Sequence, residues 1–220
     1  MTIVRTWSVQ PKAGRFDDAI GLLTEGAKLL DRRGTRGIRL THGAMVGNHS
    51  GALVVSCEFD TFTRHGEFMD ELMTDVENQT FMHRAREAEA PFTLEGTALL
   101  AEVPLERNAK GGRGKVLQTF LSRVRPGRWD DAVRSATTVF DLCERFGATR
   151  CRLFELGAAG EMTGTHIAVI EHEDMSGHGR VADAMMTDQD ARKVLEAVRG
   201  EKAPVDVISS GVYTEIPILS

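Results

Sequence analysis

Three histidines on predicted strands are the residues of this sequence best suited to acid–base chemistry. His166 and His172 begin and end the segment HIAVIEH and share one apolar face, because alternate side chains of a strand point to the same side. His42 lies on the apolar face of another predicted strand. An imidazole titrates near neutral pH, so each of the three is a candidate general base of an active site. The competing interpretation is a buried imidazole that is hydrogen-bonded within the core.

The same residues do not form a metal site. His166 and His172 are six residues apart along a strand, which separates them by roughly 20 Å and prevents them from chelating one ion. The sequence has no HExxH pair, no paired CxxC, no phosphate loop and no dinucleotide-binding glycine fingerprint. These observations predict a site without a metal or other cofactor.

Five further residues are candidates for contacting a small apolar or aromatic ligand. They supply an aromatic ring, a thioether, a carboxylate and two imidazoles: Trp7, Met69, Glu155, His65 and His178. A methionine adapts its shape to irregular apolar ligands, but at helical spacing it is equally typical of a core. Trp7 on the first strand has the same two interpretations, a pocket wall or a core residue.

Composition excludes several classes of partner. The net charge of −5 gives no general attraction to nucleic acid or to an anionic membrane. The apolar runs are far too short to span a bilayer. Cys57, Cys143 and Cys151 are odd in number and lack metal-ligand spacing, which favours buried thiols in a reducing cytoplasm. We therefore expect a cytoplasmic protein that binds a small molecule, not nucleic acid or membrane.

The sequence contains an internal repeat. GRFDDAI at Gly14 recurs as GRWDDAV at Gly127, 113 residues later. At that constant offset residues 3–104 align with 116–217 without a gap, and about a quarter of the paired positions are identical. The alignment predicts two copies of one folding unit.

The domain organisation follows from the repeat. Residues 1–104 form the first predicted copy and residues 116–220 the second. Between them, residues 105–115 read LERNAKGGRGK, which is charged, glycine-rich and without periodicity, as expected of a linker. Because the chain carries both copies, it does not need a second chain to bring them together, and we expect a monomer or a homodimer.

Each copy has the pattern of a ferredoxin-like β-α-β-β-α-β unit. A β-rich segment is followed by an amphipathic helix, two strands joined by a glycine-containing turn, a second helical region and a last strand. Gly34 and Gly147 are expected to end the first helix of each copy. The second helical region is expected to break near Asp75 and Asp188.

Positions that differ between the copies are free to specialise. The candidate base residues are all of this kind: His166 aligns with Leu53, His172 with Phe59, and His42 with Glu155. A histidine and a glutamate at equivalent positions of two sheets could meet near a pseudo-twofold axis, either as a packed polar pair or as acid–base partners.

The third strand of the first copy, ALVVSCEF, is apolar on both faces, which favours burial on both sides. Two sheets packed face to face would provide that burial. With the β-α-β-β-α-β order and the segment HGEFMDELMTDVENQTFMHRA, the sequence resembles the dimeric α+β barrel superfamily. That superfamily includes antibiotic-biosynthesis monooxygenases, NIPSNAP-like proteins, haem-degrading oxygenases and chlorite-dismutase-like haem proteins. The fold implied is α+β, with two tandem ferredoxin-like repeats forming an intramolecular pseudo-dimeric barrel.

The resemblance implies a small-molecule enzyme with an apolar pocket. In the cofactor-independent monooxygenases of that superfamily the substrate carbanion itself reduces oxygen. By this resemblance His42, His166 or His172 would be the base in the present sequence. The first alternative is a non-catalytic or stress-related protein that binds an apolar molecule. The second is a haem-binding protein, for which the resemblance suggests His83 or His178 as the iron ligand. Fold alone does not choose among them.

Overall fold

The computed structural model describes residues 1–107 and 111–218 of the chain. Residues 108–110 of the predicted linker and residues 219–220 of the predicted second copy lie outside this part. The described chain is a mixed α+β protein and divides into two compact units. Unit 1 contains Met1–Ala101 with Gly157–Glu161 and the segment from Glu215 onward, and unit 2 contains Glu102–Leu156 and Met162–Thr214.

Four strands and three α-helices come from the first half of the sequence. In chain order they are β1 (Ile3–Pro11), α1 (Phe16–Arg32), β2 (Arg36–Met45), β3 (Leu53–Phe59), α2 (Phe62–Thr74), α3 (Val76–Arg86) and β4 (Phe92–Glu102). Strand β3 pairs with both β1 and β2, and β1 also pairs with β4, always antiparallel. The order β2-β3-β1-β4 is that expected of a ferredoxin-like unit.

The second half of the sequence supplies the same series of elements. They are β5 (Val116–Val124), α4 (Trp129–Arg145), β6 (Arg150–Ala158), β7 (His166–His172), α5 (Met175–Thr187), α6 (Gln189–Arg199) and β8 (Val205–Ile216). Strand β7 pairs with β5 and β6, and β5 pairs with β8, again antiparallel. The bounds of these elements lie 113 or 114 residues after those of their counterparts.

The first helix of each unit covers its sheet with an apolar face. In α1 the buried side chains include Ala19, Leu23 and Leu30, at the spacing that places them on one side of a helix. Both helices begin with two aspartates, which favour the positive end of the helix dipole. Gly34 and Gly147 follow the helix ends with φ of +74° and +109°, the left-handed conformation that glycine adopts without a steric penalty. These two helix ends lie where the sequence predicts them.

The second helical region is two helices in each unit, and an aspartate separates them. The Asp75 side chain accepts a hydrogen bond from the Asn78 N–H (2.6 Å). The Asp188 side chain accepts from the N–H groups of Asp190 (3.0 Å) and Ala191 (2.9 Å). Each aspartate therefore caps the N-terminus of α3 or α6, whose first amide groups have no partner within the helix.

Replacing Asp188 by alanine is expected to lower the free energy of unfolding by about 1 kcal/mol, because α6 loses its capping acceptor. Urea denaturation followed by circular dichroism measures the change. Asp188→Asn keeps an acceptor oxygen and is the matched control, expected to recover most of the loss. Equal stability of the alanine variant and the wild type would contradict the capping role.

The three cysteines are buried free thiols, as the sequence predicts. Burial raises the pKa of the Cys57 and Cys143 thiols to about 12, and it also raises the pKa of Cys151. All three are therefore protonated at neutral pH and are poor nucleophiles. Across residues 1–107 and 111–218, no helix has the length and apolar content to cross a bilayer.

Candidate functional site

An apolar cavity of about 340 Å³ lies inside unit 2, between the sheet and the helices. Side chains of β5, β6, β7 and β8 form one wall, and side chains of α4 and α6 form the other. Phe140, Ile170 and Leu153 line its buried part, and Trp129 and Val207 line an exposed part that we call the mouth. The size and the apolar walls are those of a small-molecule site.

Several small residues line the cavity. Three of them stand at positions where unit 1 has larger buried side chains: Ser135 aligns with Leu22, Ala136 with Leu23, and Ala168 with Val55. In unit 1 those larger side chains belong to the hydrophobic core. The smaller side chains of unit 2 leave a space between the sheet and the helices that the surrounding backbone does not close.

A second pair of contacting positions also differs in side-chain size between the two units. In unit 1 the Phe81 ring of α3 packs directly on Gly26 of α1, so closely that a Cβ atom at Gly26 would lie 2.7 Å from the ring. The aligned residues of unit 2 are Val194 and Val139, a shorter side chain facing a larger one. The space that Phe81 occupies in unit 1 therefore has no aromatic ring at the aligned position of unit 2.

Among the described side chains that line this cavity, His166 is the one imidazole. It is 7% exposed, and neither ring nitrogen has a hydrogen-bond partner among the described residues. The Trp129 indole lies beside it, with the ring centroids 4.8 Å apart. Burial lowers the pKa of His166, and the nearby Glu155 carboxylate partly opposes that effect. A buried, unpartnered and neutral imidazole can accept a proton from a bound molecule.

Sheet register places two polar residues beside His166. Ser122 of β5 is its Cα partner on one side, and Glu155 of β6 is its partner on the other. Directly opposed residues of neighbouring strands point to the same face of a sheet. Ser122 lines the cavity with His166, whereas Glu155 is exposed. Of the predicted ligand-contacting residues, Glu155 is thus the one paired in register with a cavity residue.

His172 lies at the other end of β7, in a separate buried cluster. It is fully buried, both ring nitrogens lack a described hydrogen-bond partner, and the His178 ring meets it edge-on at 5.2 Å. The pKa of His172 is lowered to about 4, mainly by burial and also by the nearby His178, whereas Glu171 acts in the opposite direction. Neither His172 nor His178 is among the residues lining the cavity.

The remaining candidates belong to unit 1. His42 meets the Phe16 ring edge-on at 5.3 Å, and His65 meets the Phe59 ring edge-on at 5.2 Å. Trp7 and Met69 are partly buried against the hydrophobic core of that unit. The structure therefore brings His166 to the cavity of unit 2 without any of these four residues.

Several cavity residues were not among the candidates from sequence. They are Phe120, Trp129, Ser135, Ala136 and Arg199. The repeat alignment carries a signal that would have found two of them, because Ser135 and Ala136 stand where the other copy has a Leu-Leu pair on the apolar face of a helix.

Comparison with solved structures shows the fold alone, since all the sequence identities are low. The chain is similar to a protein from Fusobacterium nucleatum subsp. nucleatum named "putative monooxygenase" (TM-score 0.62, 8% identity, covering 98% of this chain and 93% of that one). It is similar to an anthrone oxidase-like protein (0.60, 14%, 98% and 91%). It is also similar to the chlorite dismutase of Candidatus Nitrospira defluvii (0.57, 9%, 99% and 92%). No protein-family model and no curated protein sequence matches the chain.

These similarities show a fold that is shared over almost the whole chain. Structures named for monooxygenase or anthrone oxidase activity share the fold over almost the whole chain. The α+β class expected from sequence is confirmed.

Proposed function

We propose that this protein is a monooxygenase-like enzyme that acts on an aromatic or polycyclic compound in the cavity of unit 2. One observation carries the proposal: a buried imidazole, His166, has no hydrogen-bond partner among the described residues and faces a mostly apolar cavity of small-molecule size. A polar group that is buried without a partner is costly to stability, so its presence favours a functional role. The fold shared with an anthrone oxidase-like protein supports the choice of reaction.

The chemistry needs a base and a water-poor site. His166 removes a proton from an acidic ring C–H of the substrate and becomes an imidazolium. The resulting carbanion passes electrons to O2, and a C–O bond forms to give a hydroperoxide after protonation. Loss of water breaks the O–O bond and leaves a carbonyl, so that a CH2 group and O2 become C=O and H2O. The apolar walls keep solvent from the carbanion and hold the ring in place.

His166→Leu, which places the residue of unit 1 at this position, is expected to lower the rate of oxygen consumption on a true substrate at least 100-fold, since general-base catalysis contributes about that much. An oxygen electrode with anthrone-type compounds measures the rate, and calorimetry confirms that the variant still binds. His42→Ala and His172→Ala test the other two predicted bases in the same assay.

Loss of activity in either of those variants, with His166→Leu still active, would assign the base elsewhere. Ligand binding by the wild type without oxygen consumption would favour the alternative, a non-catalytic protein that binds an apolar molecule.

Haem is the alternative cofactor, and neither iron ligand that the resemblance suggests, His83 or His178, is among the residues that line this cavity. His83 is 78% exposed and its Nδ1 lies 2.8 Å from a carboxylate oxygen of Glu87 on the helix surface. The Nε2 atom of His178 is buried without a hydrogen-bond partner among the described residues, and His178 is not among the residues that line the cavity. A Soret band that forms on adding hemin to the purified protein and is lost in His83→Ala or His178→Ala would contradict the proposal of a site without a cofactor.

Other expectations from sequence remain part of the proposal. They are the intramolecular pseudo-dimeric barrel, the domain boundaries at residues 104 and 116, a monomeric or homodimeric state and a cytoplasmic location. The repeat and its linker composition support the first two. Size-exclusion chromatography with light scattering tests the oligomeric state.

A further inference from the structure

A cationic side chain lies where the cavity opens. Arg199 of α6 is exposed and lines the cavity, and among the described lining residues it is the only Lys, Arg, Asp or Glu. Trp129, which is 39% exposed, and Val207 line the same mouth. An entering molecule thus meets a guanidinium and an indole before it reaches the apolar interior.

The Arg199 guanidinium is available to a ligand. Within residues 1–107 and 111–218 no carboxylate lies within ion-pair distance of it. Asp206, next to Val207 in sequence, is already paired with Arg125, with a nitrogen and an oxygen atom 2.7 Å apart. Asp206 therefore does not neutralise Arg199.

We propose that the cavity takes aromatic acids, with a carboxylate or phenolate group bound by Arg199 at the mouth and the ring system held inside. A planar guanidinium matches the geometry of a carboxylate and forms charge-assisted hydrogen bonds with it. The rings of Phe120, Trp129 and Phe140 line the space for the ring system. An anion bound deeper would be desolvated without a cation, which the apolar walls disfavour.

This assignment rests on the cavity of the proposed function and gives its substrate class a polar end. The register of the sheet sets the orientation. His166, Ser122 and Val207 follow one another across β7, β5 and β8 as directly paired residues. Strands are about 4.8 Å apart, so roughly 10 Å separates His166 from Val207 at the mouth. A ring system bound at the mouth through its acid group can therefore present a ring carbon to His166.

Calorimetric titration with 2-naphthoate and with its neutral isostere 2-naphthamide tests the proposal. Wild type is expected to bind the acid roughly tenfold more tightly, since one charge-assisted hydrogen bond at an exposed site is worth about that factor. Arg199→Gln is expected to abolish the preference while its affinity for the amide stays unchanged. Arg192→Gln is the matched control, because Arg192 is an exposed arginine of α6 that does not line the cavity.

The outcomes separate this inference from the proposed function. Equal affinity for acid and amide in wild type, or a preference that persists in Arg199→Gln, overturns the role of Arg199 and leaves the monooxygenase proposal standing. A preference that depends on Arg199, without oxygen consumption on any aromatic acid, supports the inference and contradicts the proposed reaction. Failure of both probes to bind overturns both.

Discussion

Ala136→Leu is expected to abolish binding of aromatic ligands to unit 2 while the protein stays folded. Ala136 lines the cavity on α4, and the aligned residue of unit 1 is Leu23, which is buried in that unit's core. A leucine side chain adds three carbon atoms to the space where a ring would lie. We expect an affinity loss of at least 100-fold, since a ligand of this kind binds by filling the cavity.

The stability of the variant shows how well the leucine fits. Filling an apolar cavity adds buried contacts, whereas overpacking costs about 1–3 kcal/mol. We expect the melting temperature to stay the same or rise, because Leu23 is accommodated on the same helix face in unit 1. Thermal unfolding and calorimetric titration with 2-naphthoate measure the two effects.

The control for Ala136→Leu is Thr138→Leu, which places the same side chain on the exposed face of α4. It is expected to leave binding unchanged. Unaltered ligand affinity in Ala136→Leu would show that the cavity of unit 2 is not the binding site, and the proposed function would lose its location.

His172→Phe is expected to make the protein more resistant to acid. His172 is 0% exposed and burial lowers its pKa to about 4, with His178 acting in the same direction. In the unfolded chain a histidine titrates near 6.5, so below that pH the unfolded state binds the proton more readily than the folded state. The stability of the wild type therefore falls as the pH drops from about 6.5 to about 4.

The pKa gap sets the size of this effect. Below the unfolded-state pKa of about 6.5, each further pH unit lowers the free energy of unfolding by about 1.36 kcal/mol. Between neutral pH and about pH 5 the wild type therefore loses roughly 2 kcal/mol of stability through His172. Phenylalanine cannot take up the proton, so the variant should lose less stability over this interval. Part of the acid sensitivity should remain, because burial also lowers the pKa of His166 and His65.

Unit 1 indicates that phenylalanine fits at this position. There Phe59 meets His65 edge-on at 5.2 Å, the same separation as between His172 and His178. Urea denaturation at neutral pH and at about pH 5 measures the change, with the exposed His83→Gln as control for the loss of a histidine. The same pH dependence in His172→Phe and wild type would contradict the assignment of acid sensitivity to His172.

Much of the fold was predictable because both halves of the sequence carry the same pattern of helices and strands. Helix ends at Gly34 and Gly147 and helix starts at Asp75 and Asp188 follow from local chemistry, since each depends on residues within one turn of the chain. Hydrophobic periodicity likewise determined which face of α1 and α4 would be buried. The sequence by itself thus determined the α+β class, the order of the elements and the apolar character of His166's strand face.

The location of the candidate site was decided by tertiary structure. Sequence placed His42, His166 and His172 together as possible bases, but packing put His166 on a cavity and His172 in a closed cluster at the other end of the same strand. Whether small residues leave a space depends on what the opposing elements fill, as the packing of Phe81 on Gly26 in unit 1 shows. Arg199 lies at the mouth because it is the last residue of α6, and α6 contributes to the cavity wall. Tertiary structure thus brings Arg199 to the same cavity as Trp129, which is distant in sequence.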